Sequence, residues 1–344
     1  MQKNLLDLHP DEINRIMVSR GERSFRINQL LEWIYGKRVL DFSRMTSLPA
    51  QLQHDLATAF KLTIPVIKER TGSSDLAVKY LLQLEDDNLI EMVLMPYEGK
   101  TTLCLSSQVG CQYKCKFCAT GRMGFQRNLT VHEITGQIFI ASCELGERKL
   151  TNLVLMGMGE PLDNLENILP AINILQHEKC FSFSPRRITL STCGIVPGIY
   201  RLAESGIKLK LALSLNSAVQ KKREQIMPVA HRYPLNKLKK SLQYFLERNP
   251  YRITLEYVMI RNFNMNREDI LALRKFSGDL SCKINLIPWN QVDGSNFTKP
   301  LEKDIETFMD ALRGMKIAVT LRESRGTDIQ AACGQLSARA CSRR

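Results

Sequence analysis

Residues 111–118 have the sequence Cys111-Gln112-Tyr113-Lys114-Cys115-Lys116-Phe117-Cys118. This CxxxCxxC pattern places three thiols on one short stretch, and the apolar run 101–106, which predicts a strand, comes shortly before it. Folds that alternate strands and helices carry their functional groups on the loops that follow strands. The pattern therefore predicts a site on a strand-to-helix loop of an α/β fold.

The three cysteines are one ligand short of a closed metal site. A structural zinc ion takes four ligands, and an electron-transferring iron-sulfur cluster usually takes four cysteines, so three leave one metal position open for a substrate or cofactor. Cys104 lies in the preceding strand, which would have to unravel for its thiol to reach the loop. We therefore expect a metal centre that takes part in chemistry, and a closed zinc or ferredoxin-like site is the alternative.

Strand and helix patterns alternate on both sides of this loop. Apolar strands are predicted at residues 101–106, 152–156, 187–191, 208–215, 253–259, 283–287 and 316–321, with helices near 165–176, 197–204, 235–247, 268–277 and 301–312. A further helix opens at Thr130, where Glu133 completes the spacing of a capping box. Repeated β/α units predict a parallel sheet, either open and doubly wound or curled into a barrel, and strand lengths do not separate these two arrangements.

The first hundred residues follow different periods. The proline and acids of residues 9–12 indicate a helix start, and apolar stripes of helical spacing continue to about residue 60. From about residue 62 the period becomes two, with strand-like runs at 77–84 and 89–95 around the turn residues 86–88. We predict a small helical module followed by a β-hairpin.

Composition excludes several classes of protein. The 344 residues are 44% hydrophobic and 24% charged, which is ordinary for a folded globular chain, and the longest apolar stretches are too short to span a bilayer. The N-terminal residues carry acids and a proline where a secretory signal needs an apolar run, so we expect a cytoplasmic protein. Ten cysteines in that reducing compartment favour metal or redox chemistry over a disulfide framework.

The net charge is +13. Residues 1–90 carry 12 basic and 12 acidic side chains, so the whole excess lies in residues 91–344. Such a balance favours a polyanionic partner, and a nucleic-acid-binding face is expected on the C-terminal part. A basic surface without nucleic-acid binding is the alternative.

The cysteine pattern, with an aromatic residue before its last cysteine, resembles the radical S-adenosylmethionine (SAM) superfamily. The likeness extends from about Glu91 to Leu336 and is to the RlmN/Cfr family of RNA methyltransferases, whereas the helical N-terminus resembles that family's accessory domain more loosely. The matching stretches are SSQVGC at 106–111, NLT at 128–130, MGMGEP at 156–161, INLIPWN at 284–290 and AACGQL at 331–336.

The resemblance implies an enzyme that places a methyl group on C2 of adenosine. Its substrates would be the peptidyl-transferase region of 23S rRNA and the tRNA adenosine 3' of the anticodon. Adenine C2 is an electron-poor ring carbon, which disfavours direct transfer of a methyl cation and favours a radical route. The alternatives are a Cfr-like methyltransferase acting on adenine C8, which the RlmN-like prolines Pro161 and Pro288 disfavour, and a non-catalytic RNA-binding protein with a structural metal.

The resemblance also implies the fold and its divisions. We expect a partial (β/α)6 radical SAM barrel with a small N-terminal helical accessory domain and a linking β-hairpin. The expected divisions are the helical accessory domain at 1–60, the hairpin extension at 61–100, the radical SAM core at 101–322 and a C-terminal segment that carries the methyl-accepting cysteine at 323–344.

Cofactors and site residues are implied in the same way. A 4Fe-4S cluster would be held by Cys111, Cys115 and Cys118, with its fourth iron open to SAM, and two SAM molecules would be used per turnover. Catalysis would use Cys333 as the methyl carrier, Glu91 as the base for the C2 proton, and Cys104, which would form a transient disulfide with Cys333. The SAM-binding residues would be Gly159, Glu160, Ser191, Ser214, Leu215, Asn216 and Asn290.

The three catalytic candidates differ in what the residue pattern alone supports. Glu91 shares a strand face with apolar residues, where a carboxylate suits proton transfer, although an exposed strand edge is the alternative. Cys333 and Cys104 by themselves are typical of small buried residues. Small residues around Cys333 would allow a mobile segment to reach over the barrel mouth.

The expected partners are 23S rRNA, tRNA and an electron donor to the cluster, without a membrane or a stable protein partner. Folded RNA is recognised through its shape and its splayed bases, and the target adenine would leave its stack. The basic clusters available for phosphate contacts are 186–187, 221–223, 231–232, 237 and 239–240. Arg122 and Arg127, beside the cysteine loop, are further candidates that could equally pair with acids.

Overall fold

The structure, a computed structural model, describes residues 2–292 and 294–338. Met1 and residues 339–344, the two ends of the predicted divisions, lie outside the described residues, as does residue 293. No helix in the described part of the chain combines the length and the apolar character needed to cross a membrane.

The N-terminal module consists of short helices, as predicted. Its elements are β1 (Lys3–Asn4), α1 (Pro10–Ser19), α2 (Phe25–Leu31), a π-helical turn (Glu32–Gly36), α3 (Ala50–Ala59) and β2 (Phe60–Lys61), which pairs with β1 in parallel. The predicted helix start is confirmed, because His9 Nδ1 accepts from the Asp11 amide (3.3 Å) and Glu12 accepts from the His9 amide (3.0 Å). The Asp7 carboxylate ties this module to the barrel through the His132 ring at 2.9 Å.

The extension that follows contains one strand more than the predicted hairpin. β3 (Val66–Gly72), β4 (Val78–Gln83) and β5 (Leu89–Tyr97) form an antiparallel meander, and β5 pairs in turn with β6 (Lys100–Cys104). β3 lies at the sheet edge with most of its side chains exposed, and a bulge interrupts its register after Ile67. It therefore lacks the apolar alternation by which a strand is recognised in a sequence.

The remaining strands belong to the core. They are β7 (Gln108–Gly110) and β8 (Phe125–Asn128), which form a separate antiparallel pair, and β9 (Asn152–Leu155), β10 (Ile188–Thr192), β11 (Lys210–Ser214), β12 (Ile253–Met259), β13 (Cys282–Pro288) and β14 (Val319–Leu321). The bounds of β12 are those predicted, and β14 is shorter than predicted.

The helices between these strands are α4 (Ala119–Met123), α5 (Val131–Leu145), α6 (Leu165–Gln176), α7 (Val196–Glu204), α8 (Gln220–Ile226), α9 (Val229–Arg232), α10 (Leu235–Arg248), α11 (Arg267–Ser277) and α12 (Glu302–Leu312). Six of them agree with the sequence patterns, whereas the short helices α4, α8 and α9 were not predicted. The predicted capping box of α5 is present, since the Thr130 amide donates to Glu133 Oε2 at 2.9 Å.

Strand order decides between the two parallel architectures. Strands β6, β9, β10, β11, β12, β13 and β14 are neighbours in sequence order and run parallel, followed on the other side of β6 by the antiparallel β5, β4 and β3. A doubly wound sheet would reverse its order at a switch point. Arg322, just after β14, donates to Met156 Sδ after β9 (3.7 Å) and lines a cavity with Cys104 of β6, so the sheet curls into a partial barrel, as expected.

Candidate active site

The barrel opens at the carboxyl ends of its parallel strands into a cavity, called here the inner cavity. The residues that line it include the three cysteines of the loop and side chains at the ends of β9 to β13, among them Cys111, Cys115, Cys118, Gly159, Glu160, Ser191, Ser214, Asn216, Glu256, Asn290, Arg322 and Cys333. Ligand sites in folds of this class lie at this end of the sheet.

A close backbone contact between Gly110–Cys111 and Gly124 fixes the two ends of the segment that contains the cysteine loop. Gly110 has φ +76°, and a Cβ atom there would lie 1.8 Å from the Gly124 carbonyl oxygen, which accepts from the Cys111 amide at 2.8 Å. Burial raises the pKa of Cys111 to about 12, and burial together with the charges of Cys118 and Cys111 raises the pKa of Cys115 well above its usual range. Without a bound metal these thiols are therefore protonated at neutral pH.

The donor set fits the expected cluster. No three His, Cys, Asp or Glu side chains in residues 2–292 and 294–338 are grouped so as to hold a single metal ion. The ligands of a cluster lie farther apart than those of one ion, because each thiolate binds a different iron. The three thiols nevertheless line one cavity, which is the arrangement that a three-cysteine cluster requires.

The turn after β9 presents a buried carboxylate to the inner cavity. Glu160 Oε2 accepts from the Cys193 amide (2.7 Å) and Oε1 from the Leu162 amide (3.1 Å), while Gln108 Oε1 accepts from the Glu160 amide (2.8 Å). Burial outweighs these hydrogen bonds and raises the pKa of Glu160 to about 7. Gly159 has φ +102°, which allows the backbone to pass against Gln108.

The other expected SAM-binding residues occupy the neighbouring strand ends, with one exception. Ser191, Ser214 and Asn216 line the inner cavity, and Asn216 Oδ1 accepts from the Val258 amide at 3.0 Å. The Leu215 side chain is fully buried and is not among the lining residues. Asn290 lines the cavity and donates from Nδ2 to the Cys333 carbonyl at 3.2 Å.

A second, outer cavity adjoins the first, and the two share Cys118, Arg322 and Cys333 in their walls. Cys104 lies in the wall of the outer cavity. Burial, followed by the charge of Cys333, raises the pKa of Cys104 to about 12, whereas the guanidinium of Arg322 opposes that shift. The two cysteines are thus brought together, Cys104 buried and Cys333 exposed.

The C-terminal segment that carries Cys333 is docked on the cysteine loop. The Ala119 amide donates to the Gly334 carbonyl (2.7 Å), and the Thr120 hydroxyl donates to the Leu336 carbonyl (2.7 Å). These bonds place the predicted methyl carrier beside the loop, although more than 200 residues separate them in sequence.

Glu91 is buried in β5, as the strand-face interpretation requires, and is 1% exposed. Its Oε1 lies 3.2 Å from Lys79 Nζ, and its Oε2 accepts from the Ser337 amide at 2.8 Å. The residue is absent from the linings of both cavities. The C-terminal segment therefore lies against the Glu91 carboxylate and occupies one of its oxygens.

Two charged residues that line the inner cavity, Glu256 and Arg322, were not predicted from the sequence. Glu256 is the one carboxylate in the buried and largely apolar strand β12, a signal that the sequence offers. Asn285 donates to its Oε1 (3.1 Å), and Oε2 has no hydrogen-bond partner among the described residues. Burial raises the pKa of Glu256, and the nearby Arg322 opposes that shift. The charge of Cys333 raises the pKa of Arg322, whose position after a strand carried no signal.

Several members of the basic clusters serve the fold. Arg223 is fully buried and donates to the carbonyls of Cys193 (2.6 Å) and Leu215 (3.1 Å), so its inclusion in a surface cluster was wrong. Lys222 pairs with Asp269 at 2.7 Å. Arg127 pairs with Glu133 and Asp86 at 2.8 and 2.6 Å, which confirms the acid-pairing alternative for this residue.

Comparisons with known proteins agree with this geometry. Residues 3–62 match the family "Ribosomal RNA large subunit methyltransferase N-terminal domain", and residues 105–274 match the radical SAM superfamily. The chain is 43% identical over 337 residues to the "Probable dual-specificity RNA methyltransferase RlmN" of Dictyoglomus turgidum, covering 97% of each chain. It is 42% identical over 335 residues to the protein of the same name from Clostridium botulinum, covering 97% of this chain and 96% of that one.

A solved structure extends the likeness to three dimensions. The crystal structure of a radical SAM methyltransferase from Sphaerobacter thermophilus superposes with a TM-score of 0.93 and 39% sequence identity, covering 98% of this chain and 100% of that chain. The protein is thus a radical SAM RNA methyltransferase, and its superfamily implies a 4Fe-4S cluster and SAM. Membership extends over the N-terminal module and the barrel together, and the chain belongs to the RlmN family of dual-specificity RNA methyltransferases.

Proposed function

We propose that this enzyme methylates C2 of adenosine in RNA through a methyl group carried by Cys333. The observation that carries the proposal is the position of Cys333 at the junction of the two cavities. One cavity contains the three-cysteine loop, and the other contains Cys104. A carrier at this junction has access both to a methyl donor in the inner cavity and to a base that enters the outer one.

We assign the cofactors to the inner cavity. Cys111, Cys115 and Cys118 would hold the 4Fe-4S cluster, whose fourth iron would be open to SAM. Gly159, Glu160, Ser191, Ser214, Asn216 and Asn290 would contact SAM, and Leu215 would contribute through its backbone because its side chain is buried. Two SAM molecules would be used per turnover, the first to methylate Cys333. When bound and reduced, the cluster and the second SAM would supply the radical chemistry that removes one hydrogen atom from that methyl group.

The residues of this chain then complete the transfer. The methylene radical on the Cys333 sulfur adds to adenine C2. Glu91 accepts the C2 proton, and one electron leaves the adduct, for which the oxidised cluster would be the acceptor. Cys104, a protonated thiol at rest, loses its proton as its sulfur attacks the Cys333 sulfur, which forms a disulfide and breaks the bond between that sulfur and the methylene carbon. The electron pair stays on the carbon, which takes up a proton and becomes the C2 methyl group, and a reductant must restore both thiols before the next turnover.

We propose two RNA substrates, in keeping with the dual specificity named for the relatives. They are the adenosine in the peptidyl-transferase region of 23S rRNA and the adenosine 3' of the anticodon in tRNA, and the enzyme would act on them in the cytoplasm with an electron donor for its cluster. The target base would leave its stack to reach Cys333, as in other enzymes that act on a ring atom of a base. The excess of positive charge in residues 91–344 supports such a partner.

The test is an anaerobic assay of the reconstituted enzyme with methyl-labelled SAM, reductant and unmodified 23S rRNA and tRNA. We expect labelled 2-methyladenosine in both RNAs by mass spectrometry, and none with Cys333→Ala. Labelled 8-methyladenosine would establish the Cfr-like reaction instead. SAM cleavage without labelled RNA would refute the proposed substrates, and methyl transfer by Cys333→Ala would refute the carrier mechanism.

A further inference from the structure

The proposed base is one half of a buried ion pair. Lys79 Nζ in β4 lies 3.2 Å from Glu91 Oε1 in β5. Both residues are almost fully buried, with exposed fractions of 6% for Lys79 and 1% for Glu91. Two charges are removed from water together only where they compensate each other, because burial of an isolated ion is very costly.

Strand register places this pair beside Cys104. Lys79 is opposite Val93 in the β4–β5 ladder, and Val93 is opposite Cys104 in the β5–β6 ladder. Glu91 is two residues from Val93 and therefore faces the same side of the sheet. Lys79, Glu91 and Cys104 thus share one face, and Met95 and Thr102, the next opposed pair on that face, line the outer cavity.

A general base must lie within hydrogen-bond reach of the proton that it accepts, so the orientation of its carboxylate matters. We propose that Lys79 is a positioning residue for the reaction, which holds the Glu91 carboxylate oriented for removal of the adenine C2 proton. This inference rests on the role that the proposed function gives to Glu91. Lys79 itself does not contact the reacting atoms.

The two carboxylate oxygens of Glu91 have different partners, and we assign them different roles. Oε1 is held by Lys79, whereas Oε2 accepts the backbone amide of Ser337 in the C-terminal segment and no other donor among residues 2–292 and 294–338. The segment also carries Cys333, so its movement during the reaction would free Oε2 while Lys79 continues to hold Oε1. The oxygen that takes the proton is therefore Oε2.

Proton removal follows formation of the bond between Cys333 and the RNA, so loss of Lys79 should stall the enzyme at that covalent adduct. We would compare Lys79→Met, Lys79→Gln and Lys79→Arg with wild type and Glu91→Gln in single-turnover reactions with labelled RNA. The readouts are methylation of Cys333 by peptide mass spectrometry, and the amount and lifetime of the cross-linked protein-RNA species on denaturing gels. Lys68→Met is the matched control, because Lys68 lies exposed on the adjacent β3.

We expect Lys79→Met and Lys79→Gln to methylate Cys333 and to form the adduct, but to resolve it about tenfold or more slowly than wild type, since a positioned base contributes at least that much. Lys79→Arg keeps the charge and should restore most of the rate. Lys68→Met should behave as wild type.

Three outcomes would overturn the inference. The first is normal resolution of the adduct by Lys79→Met while Glu91→Gln stalls. The second is failure of Lys79→Arg to resolve the adduct faster than Lys79→Met. The third is loss of Cys333 methylation in both uncharged variants, which would place the effect of Lys79 on folding or on an earlier step. If Glu91→Gln itself resolves the adduct normally, the base assignment in the proposed function is wrong, a result distinguishable from failure at Lys79 alone.

Discussion

Gly159 shows how one residue can determine the form of a cofactor site. Its φ of +102° belongs to the region that residues with a Cβ adopt at a cost, and a Cβ there would lie 2.6 Å from the Gln108 side chain. Gln108 is fully buried and accepts the Glu160 amide, so it has no room to retreat. The turn that presents Glu160 to the inner cavity therefore depends on the absence of a side chain at residue 159.

We predict that Gly159→Ala lowers the free energy of unfolding by about 1–3 kcal/mol more than Gly99→Ala does, because only the first change adds a clash in a packed core. Gly99 is a matched control, since its φ of +71° carries a similar backbone strain but an added Cβ would meet nothing within 4 Å. Urea denaturation of both variants measures the difference. Equal losses would show that Gln108 moves aside without cost.

Hydrogen bonds between the C-terminal segment and the cysteine loop form a contact, called here the joint, that lies outside the strand ladders. In the part of the segment that the structure describes, a few hydrogen bonds hold Cys333 beside the loop, and the Thr120 hydroxyl makes one of them with the Leu336 carbonyl. Few bonds and an exposed carrier suit a segment that must move between a methyl donor and a substrate base. When these bonds re-form, they return the segment to its position beside the cysteine loop.

Replacement of Thr120 by valine should loosen this joint, because it removes the donor and leaves a buried carbonyl without a partner. We expect faster amide hydrogen exchange at residues 332–337 in Thr120→Val than in wild type. Thr307→Val removes the same kind of bond from exposed helix α12 and should leave that segment unchanged. Unaltered exchange in Thr120→Val would show that the Ala119–Gly334 bond is sufficient.

An element can be predicted from the sequence only where a local residue pattern marks it. The largely apolar run of β12 predicts both the type and the bounds of that strand, and the cysteine spacing predicts the position of the loop. β3 is exposed at a sheet edge and has no such pattern, so it was missed. The partnership of Lys79 and Glu91 depends on strand register, and the burial of Arg223 depends on tertiary packing, neither of which a local window contains.

At the scale of the whole molecule, the positive charge is distributed unevenly along the sequence. This distribution predicts that RNA binding depends on salt. The excess of 13 positive charges lies entirely in residues 91–344, where the barrel and its mouth are formed. Some of that charge is internal, as at Arg223, but Lys237 and Lys240 are exposed on one helix. Contacts between such side chains and phosphates release bound counterions, which makes affinity depend on salt.

We predict that the affinity for tRNA falls at least about tenfold between 50 and 200 mM salt, as several phosphate contacts require. Fluorescence anisotropy at a series of salt concentrations measures the slope. The slope is compared with that of an unrelated protein that binds tRNA through base stacking alone and should show a weaker dependence on salt. A flat response would mean that the positive charge of residues 91–344 does not contact RNA.

The hydrogen bond between Ser337 and Glu91 joins residues 246 positions apart and bears on the synthesis of the protein. A growing chain folds from its N-terminus as it leaves the ribosome. The antiparallel neighbours β5 and β6 can therefore pair early, with Glu91 and Cys104 already in place, whereas Cys333 is seated only when residues 331–338 have emerged. A nascent chain that has not yet released this segment would thus hold an unfinished site and could not act on RNA.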